Sequence, residues 1–300
     1  MRLSLRFAAL MTLSFWWAAP LGLLLAAPLA HAEPRLVSAD GAVTETIVAL
    51  GAASLLAAVD TTSHYPEEVI GSLPRVGYLR ALPLEGVLSL HPTHLITTDE
   101  AGPAQTLDRL DSAGVEVVTL PVARTPQAAV DRIHALGELL GRSAQARSLT
   151  ARFNEELDAV VRLMADRRGA RALVLLAAGG HGVMLGGRDT AAHALLESVG
   201  LQNVMADSSG YKPASREALL ASEPDVIVIA EASPGQFRAE DWPAITRLEA
   251  WQNGHRVTAN AMLLLGFGPR LPEAMRIVAA AVPHPGKLVS RSGKSLADAH

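Results

Sequence analysis

Residues 126–168 read PQAAVDRIHALGELLGRSAQARSLTARFNEELDAVVRLMADRR. Apolar side chains recur at helical spacing through Ala129, Ile133, Leu136, Leu139 and Leu140. They resume through Leu149, Phe153, Leu157, Val160 and Leu163, with charged residues on the other faces. The one break is a turn signal, Gly141-Arg142-Ser143, so two helices and one kinked long helix are both compatible with the pattern. Either form makes residues 125–169 a rigid connector rather than a flexible linker. Its position decides the fold, because a strand–helix alternation stops before it and restarts after it.

On the amino-terminal side, strand patterns at 35–38, 55–59, 94–97 and 115–120 alternate with helix patterns at 42–50, 84–90 and 104–113. On the carboxyl-terminal side, strands at 172–177, 203–204, 226–230 and 256–258 alternate with helices at 191–199, 216–221 and 272–282. Such alternation predicts a parallel, wound sheet in each block. The blocks also resemble each other: LHPTHLITTDEAGP (90–103) and SEPDVIVIAEASPG (222–235) share a proline, an apolar strand, an acidic residue and a Gly/Pro turn. The expected architecture is therefore α/β, with two wound lobes facing each other across a cleft and joined by a long helix. Ligands of such sheets bind outside the carboxyl ends of the strands. Here that means the segments 38–44, 60–80, 98–103, 179–189, 231–237 and 260–270.

The first 32 residues read as an export signal. Arg2 and Arg6 precede an apolar run from 7 to 29, and Ala30-His31-Ala32 offers the small-x-small pattern that a signal peptidase cuts. The run is long enough for a membrane anchor, but Pro20, Gly22 and Pro28 interrupt it. Cleavage near Ala32 and a periplasmic location are expected, with no stable membrane insertion afterwards. Of 300 residues, 32 fall in the leader, which leaves 268 for a lobe at 33–124, the connector at 125–169, a lobe at 170–283 and a disordered tail at 284–300. Removing Arg2 and Arg6 from the 26 basic residues leaves 24 against 30 acidic ones. That balance argues against nucleic acid or an anionic membrane surface as partner. The chain has no cysteine, which excludes disulfides, thiolate metal sites and iron–sulfur clusters.

Within the cleft segments the run RVGYLR (75–80) stands out, because Tyr78 is one of three tyrosines and lies in an irregular stretch with Gly71, Pro74, Gly77 and Pro83. Catalytic patterns do not accompany it: no nucleophile elbow, Walker loop or dinucleotide fingerprint occurs. His91 and His94 form an H-x-x-H pair, but they bracket a strand start without clustered carboxylates and read as solvated strand-edge residues rather than a zinc site.

The segments RVGYLRALPLEGVLSLHPTHLI (75–96), GGRDTAAHALLESVGLQN (186–203) and LLGFGPRLPEA (264–274) resemble those of periplasmic haem-binding proteins that serve ABC-type haem importers. The resemblance runs over roughly residues 35–282. It implies a class III periplasmic binding protein, with Tyr78 as axial ligand to haem iron and an ABC permease with its ATPase as partners. Glu67, Glu68 and Glu217 are candidates for the lobe tips that dock on that permease.

The residue chemistry bears on the same assignment. A phenolate is a hard anionic donor suited to ferric iron. Tyrosine in water ionises near pH 10, so iron and a nearby guanidinium must favour the anion. Arg80, two residues on, is the better placed of the two flanking arginines. The alternative is a Tyr78 that caps the lobe edge while its hydroxyl meets a carbonyl. Arg188, in the Gly-Gly-Arg-Asp-Thr run before the helix at 191, suits a haem propionate, unless Asp189 or Thr190 simply caps that helix. Arg270 suits a propionate, the phenolate or an inter-lobe ion pair. His181 is a possible second iron ligand or a turn residue, and His64 and Tyr211 are possible cleft residues. A corrinoid or ferric siderophore is the alternative cargo, and a secreted α/β enzyme is a further one.

Overall fold

The computed structural model describes residues 34–177 and 182–284. The expected leader, His181 and the tail beyond His284 lie outside the described residues. The amino-terminal lobe is built from β1 (Leu36–Ala39), α1 (Gly41–Ala49), β2 (Leu56–Val59), α2 (Glu67–Ile70), α3 (Leu84–Leu88), β3 (His94–Thr98), α4 (Ala104–Ser112) and β4 (Glu116–Leu120). Its four strands are all parallel in the order β2-β1-β3-β4. Because successive strand residues face opposite sides, Leu36 and Ile96 enter one core while Val37, Ala39 and Leu95 enter the other.

The connector is two helices, α5 (Pro126–Leu139) and α6 (Ser143–Leu163). Thr125 caps α5 by accepting the Ala128 N–H, and Pro126 occupies the first turn, where its missing N–H is harmless. Helix α6 buries Ala146, Thr150, Phe153 and Val160 on one face. At 21 residues it is about 30 Å long.

The carboxyl-terminal lobe follows with β5 (Arg171–Ala177), β6 (Val183–Gly186), α7 (Ala191–Val199), β7 (Gln202–Asn203), β8 (Tyr211–Pro213), α8 (Arg216–Ser222), β9 (Val226–Glu231), α9 (Glu249–Gln252), β10 (Arg256–Asn260), α10 (Ala261–Leu265) and α11 (Leu271–Ala281). Strands β10, β9 and β5 are parallel, whereas β6 and β8 add antiparallel edges. This lobe therefore departs from the purely parallel sheet expected from sequence. Part of the segment 179–189, read as loop, is a strand paired to β5, and part of 260–270 is the short helix α10.

One apolar cluster runs without interruption from Leu36 and Ile47 through Leu136, Phe153 and Val160 to Leu195, Val228, Leu271 and Val278. It thus joins both lobes through the connector. Arg167, buried at the end of the connector, donates to the carbonyls of Ala279 (3.3 Å) and Val282 (3.4 Å) and so ties the α11 terminus to it. A frame packed in this way resists hinge motion between the lobes.

Candidate functional site

A cavity of about 220 Å³ opens between the lobes at the carboxyl ends of the parallel strands. Its amino-terminal wall includes Asp40, Thr62, Tyr78, Arg80, Glu100 and Arg124, the connector contributes Arg132, and the opposite wall includes Ala191, Tyr211 and Met262. A larger groove of about 550 Å³ lies between α6 and α11, lined by Glu156, Ala159, Val160, Leu163, Pro272 and Arg276. It is away from the strand ends and carries no tyrosine or histidine.

The display of Tyr78 follows from its neighbours. Residues 74–76 run along the edge of β2, with the Val59 N–H donating to Pro74 O (3.1 Å) and the Val76 N–H to Val59 O (3.0 Å). Gly77 then turns the chain at φ +93°, a backbone angle that L side chains rarely adopt, and its carbonyl accepts the Thr61 N–H at 2.9 Å. Val76, Leu79 and Leu82 are buried in the outer core. With these neighbours anchored inward, the Tyr78 ring is left on the cleft wall, 46% exposed.

The same stretch is fastened to the loop after β3 by a reciprocal pair: the Gly102 N–H donates to Leu79 O and the Leu82 N–H to Gly102 O, both at 2.9 Å. That pairing brings Glu100 beside Arg80. One Glu100 oxygen accepts from Arg80 and the other from Arg124 at 2.7 Å. Burial acts most strongly on Arg80 and favours its neutral form. The hydrogen bond and charge of Glu100, with Tyr78 and Tyr211, outweigh it and raise the pKa. Arg75, by contrast, donates to the carbonyls of Ser63 and Asp60 within its own loop.

Beneath the wall lies a buried polar chain: Ser38 Oγ to Thr44 Oγ1 and Thr44 Oγ1 to Ser63 Oγ, each at 2.7 Å, then Ser63 Oγ donating to Asp60 Oδ1 at 2.8 Å. Burial pushes the Asp60 carboxyl up, although hydroxyls of Ser63 and Thr62 oppose it. Thr62 also accepts the Gly41 N–H at 2.9 Å, which fixes the loop against the start of α1.

On the opposite wall Tyr211 is half-buried. Burial raises its pKa, partly offset by the Ala192 N–H, Arg124 and the Thr190 hydroxyl, so it is a neutral phenol facing the start of α7. The Gly186-Gly187 pair before that helix is explained by close packing: a Cβ on Gly187 would sit 2.1 Å from the Ser208 carbonyl oxygen. Thr190 caps α7, accepting the His193 N–H at 3.2 Å and donating to Gly187 O at 2.7 Å. Arg188 and His64 are exposed and do not line the cavity. His94 pairs with Glu116 at 3.2 Å, and no cluster of three or more metal-ligating His, Asp or Glu side chains occurs among the described residues.

Arg270 reaches across to the first lobe. Its guanidinium holds Glu45 with two hydrogen bonds of 3.0 and 2.5 Å and lies 3.6 Å over the Tyr65 ring. Of the roles open to it from sequence, this is the inter-lobe ion pair. Burial raises the Glu45 pKa despite the hydrogen bond and charge of Arg270. Arg132, buried on α5, donates to the carbonyls of Gly266 (3.3 Å) and Phe267. It thereby holds Phe267 at a left-handed φ of +52°. Burial is also the main influence on Arg132, lowering its pKa against the charges of Asp40 and Glu45. Glu100, Arg124 and Arg132 were not singled out from sequence, although Glu100 falls in a segment already assigned to the cleft.

Two α/β lobes, a helical connector and a ligand cavity at the strand ends define a substrate-binding protein of the class III type. The chain belongs to the periplasmic binding protein family, whose profile matches residues 36–262. That is a family of binding proteins for transport, not of enzymes. A periplasmic haem-binding protein from Pseudomonas aeruginosa is 35% identical, covers 82% of this chain and 91% of its own, and superposes with a TM-score of 0.74. RhuT, a periplasmic haem-binding protein from Roseiflexus sp. RS-1, is 29% identical over 83% of this chain and 97% of its own, with a TM-score of 0.77. A cobalamin-binding protein of Halobacterium salinarum is 25% identical over 83% of this chain and 69% of its own.

Proposed function

We propose that this protein carries ferric haem in the inter-lobe cleft, with Tyr78 as the axial ligand, and delivers it to an ABC permease and its ATPase. The observation that carries this reading is the exposed phenol of Tyr78, held on the cleft wall by buried neighbours. Phenolate is an established axial donor to haem iron, and Arg80 lines the same cavity wall as Tyr78. The haem-binding relatives named above support the cargo. The cavity of about 220 Å³ is below the roughly 300–1,000 Å³ typical of small-molecule sites, so a flat macrocycle would enter edge-on and extend from the cleft. Export by the leader at 1–32 places the protein in the periplasm on this reading. Glu67, Glu68 and Glu217 are exposed and are assigned to permease docking.

Titrating the purified protein with ferric haem tests the reading. A high-spin tyrosinate-type spectrum is expected, abolished by Tyr78→Phe and retained in His181→Ala. A bis-histidine spectrum indifferent to Tyr78 would refute it. The cobalamin-binding relative favours a corrinoid as second reading. A corrinoid does not require a tyrosinate, so tight cobalamin binding unaffected by Tyr78→Phe would select it.

A further inference from the structure

We propose that Glu100 is a positioning and specificity residue of the cleft. It pairs the guanidiniums of Arg80 and Arg124 as a joint receptor for a carboxylate of the macrocycle, and it competes with that carboxylate for them. This rests on the haem reading above and adds a role for a residue that does not itself touch iron.

The geometry is that of one acceptor shared between two cations. Glu100 accepts one hydrogen bond from each arginine, in both cases from the Nη2 atom. A guanidinium has five N–H donors, so each arginine keeps most of its fork for another acceptor. All three side chains line the cavity, and the arginine side chains are 54% and 40% exposed. Within this trio two positive charges stand against one negative, a net single positive charge, while Asp40 on the same wall is engaged in capping α1 through the Ala42 and Val43 N–H groups. Both tyrosines, Tyr78 and Tyr211, line the same cavity as this trio.

The other cleft arginines are committed elsewhere. Arg270 spends its fork on Glu45 and its face on Tyr65. Arg132 donates to two backbone carbonyls. Arg188 is outside the cavity lining. Arg80 and Arg124 are therefore the pair left to recognise a ligand carboxylate, and Glu100 both orients them and weakens their pull. Planar bidentate recognition of this kind is what arginine forks do best.

The test compares ferric haem with its dimethyl ester, which keeps the iron and the ring but lacks the charged carboxylates. Absorption titrations give the ratio of ester to haem dissociation constants for the wild type, Glu100→Gln, Arg124→Gln and the double variant. Glu100→Gln should raise that ratio by up to about fivefold, the size of one released solvent-exposed ion pair, through tighter haem binding with the ester unchanged. Arg124→Gln should lower the ratio, and the double variant should lose most of the Glu100→Gln gain. A purely structural role would weaken both ligands alike and leave the ratio where it was. Should Glu100→Gln fail to fold, Glu100→Asp, one methylene shorter, should raise the ratio in the same direction. A tyrosinate-type haem spectrum with an unchanged or smaller ratio overturns the role of Glu100 alone. Absence of haem binding by the wild type overturns the haem reading and this inference together.

Discussion

Replacing Arg270 by Met removes the cation that pairs with Glu45 across the two lobes. Glu45 is almost fully buried, at 5% exposure, so it cannot recover its hydration when its partner leaves. The cheaper outcome is protonation. From an ordinary value of 4.5, taking up a proton at pH 7 costs about 1.36 kcal/mol per unit, or roughly 3.4 kcal/mol as an upper limit. Loss of the guanidinium over Tyr65 adds about 0.5–1 kcal/mol. Methionine regains some apolar burial, so a net destabilisation of about 3 kcal/mol is expected at pH 7, in line with other broken buried pairs. The sign of the pH dependence follows from the direction of the Glu45 shift. A carboxyl whose folded pKa lies above its unfolded value binds more protons when folded, so stability falls as pH rises through the folded value. Urea unfolding of Arg270→Met should therefore show a deficit that shrinks by about 1.4 kcal/mol for each unit of acidification between pH 7 and the folded value. The double variant Glu45→Gln/Arg270→Met should recover most of the loss at pH 7. A deficit below about 1 kcal/mol, flat from pH 7 to pH 5, would refute the argument.

Tyr78→Phe should keep the fold and lose the tyrosinate charge-transfer band, with haem affinity falling by more than the roughly 10–100-fold typical of changes around a metal ligand; absorption titration reads both. Gly77→Ala forces a Cβ into the φ +93° turn and should cost about 1–2 kcal/mol in urea unfolding while weakening haem binding with its spectral type unchanged. Arg132→Met leaves the Gly266 and Phe267 carbonyls without their donor and should cost about 2 kcal/mol by the same measurement.

The alternation of strands and helices was legible because each element carries its own local signal. Helix α7 is an example: Thr190 caps it and Gly200, at φ +85°, ends it, so both boundaries can be read from the chain. Strand β6 was not legible. Its four residues sit in a glycine-rich run that reads as turn, and only pairing with β5 makes them a strand. The site divides in the same way. Tyr78 announces itself as a rare residue in an irregular cleft segment. Glu100 meets Arg80 through the reciprocal bonds of Leu79 and Leu82 with Gly102, backbone contacts that leave no side-chain pattern. Glu45 and Arg270 are 225 residues apart, and no local periodicity links them.

The two acidic partners of the cleft arginines do different work because their solvation differs. Glu45 is buried and Arg270 partly so, and breaking the pair obliges the carboxylate to take up a proton at a cost, so that pair helps hold the lobes in register. Glu100 with Arg80 and Arg124 stays in reach of water, where an exposed ion pair is worth about 0–1 kcal/mol and partners exchange readily. An apolar core continuous through both lobes and the connector makes wholesale closure costly. On the proposed haem reading, selection then falls to side chains on fixed walls: a phenol for the metal and an adjustable pair of guanidiniums for the carboxylate. On the proposed reading, release from such a frame requires an outside force that parts the lobes, and one bond that force must break between them is Arg270 to Glu45. A permease that strips cargo from the wild type should therefore do so faster from Glu45→Gln, whose clasp lacks its charge, and an unchanged transfer rate would show that release does not pass through lobe separation.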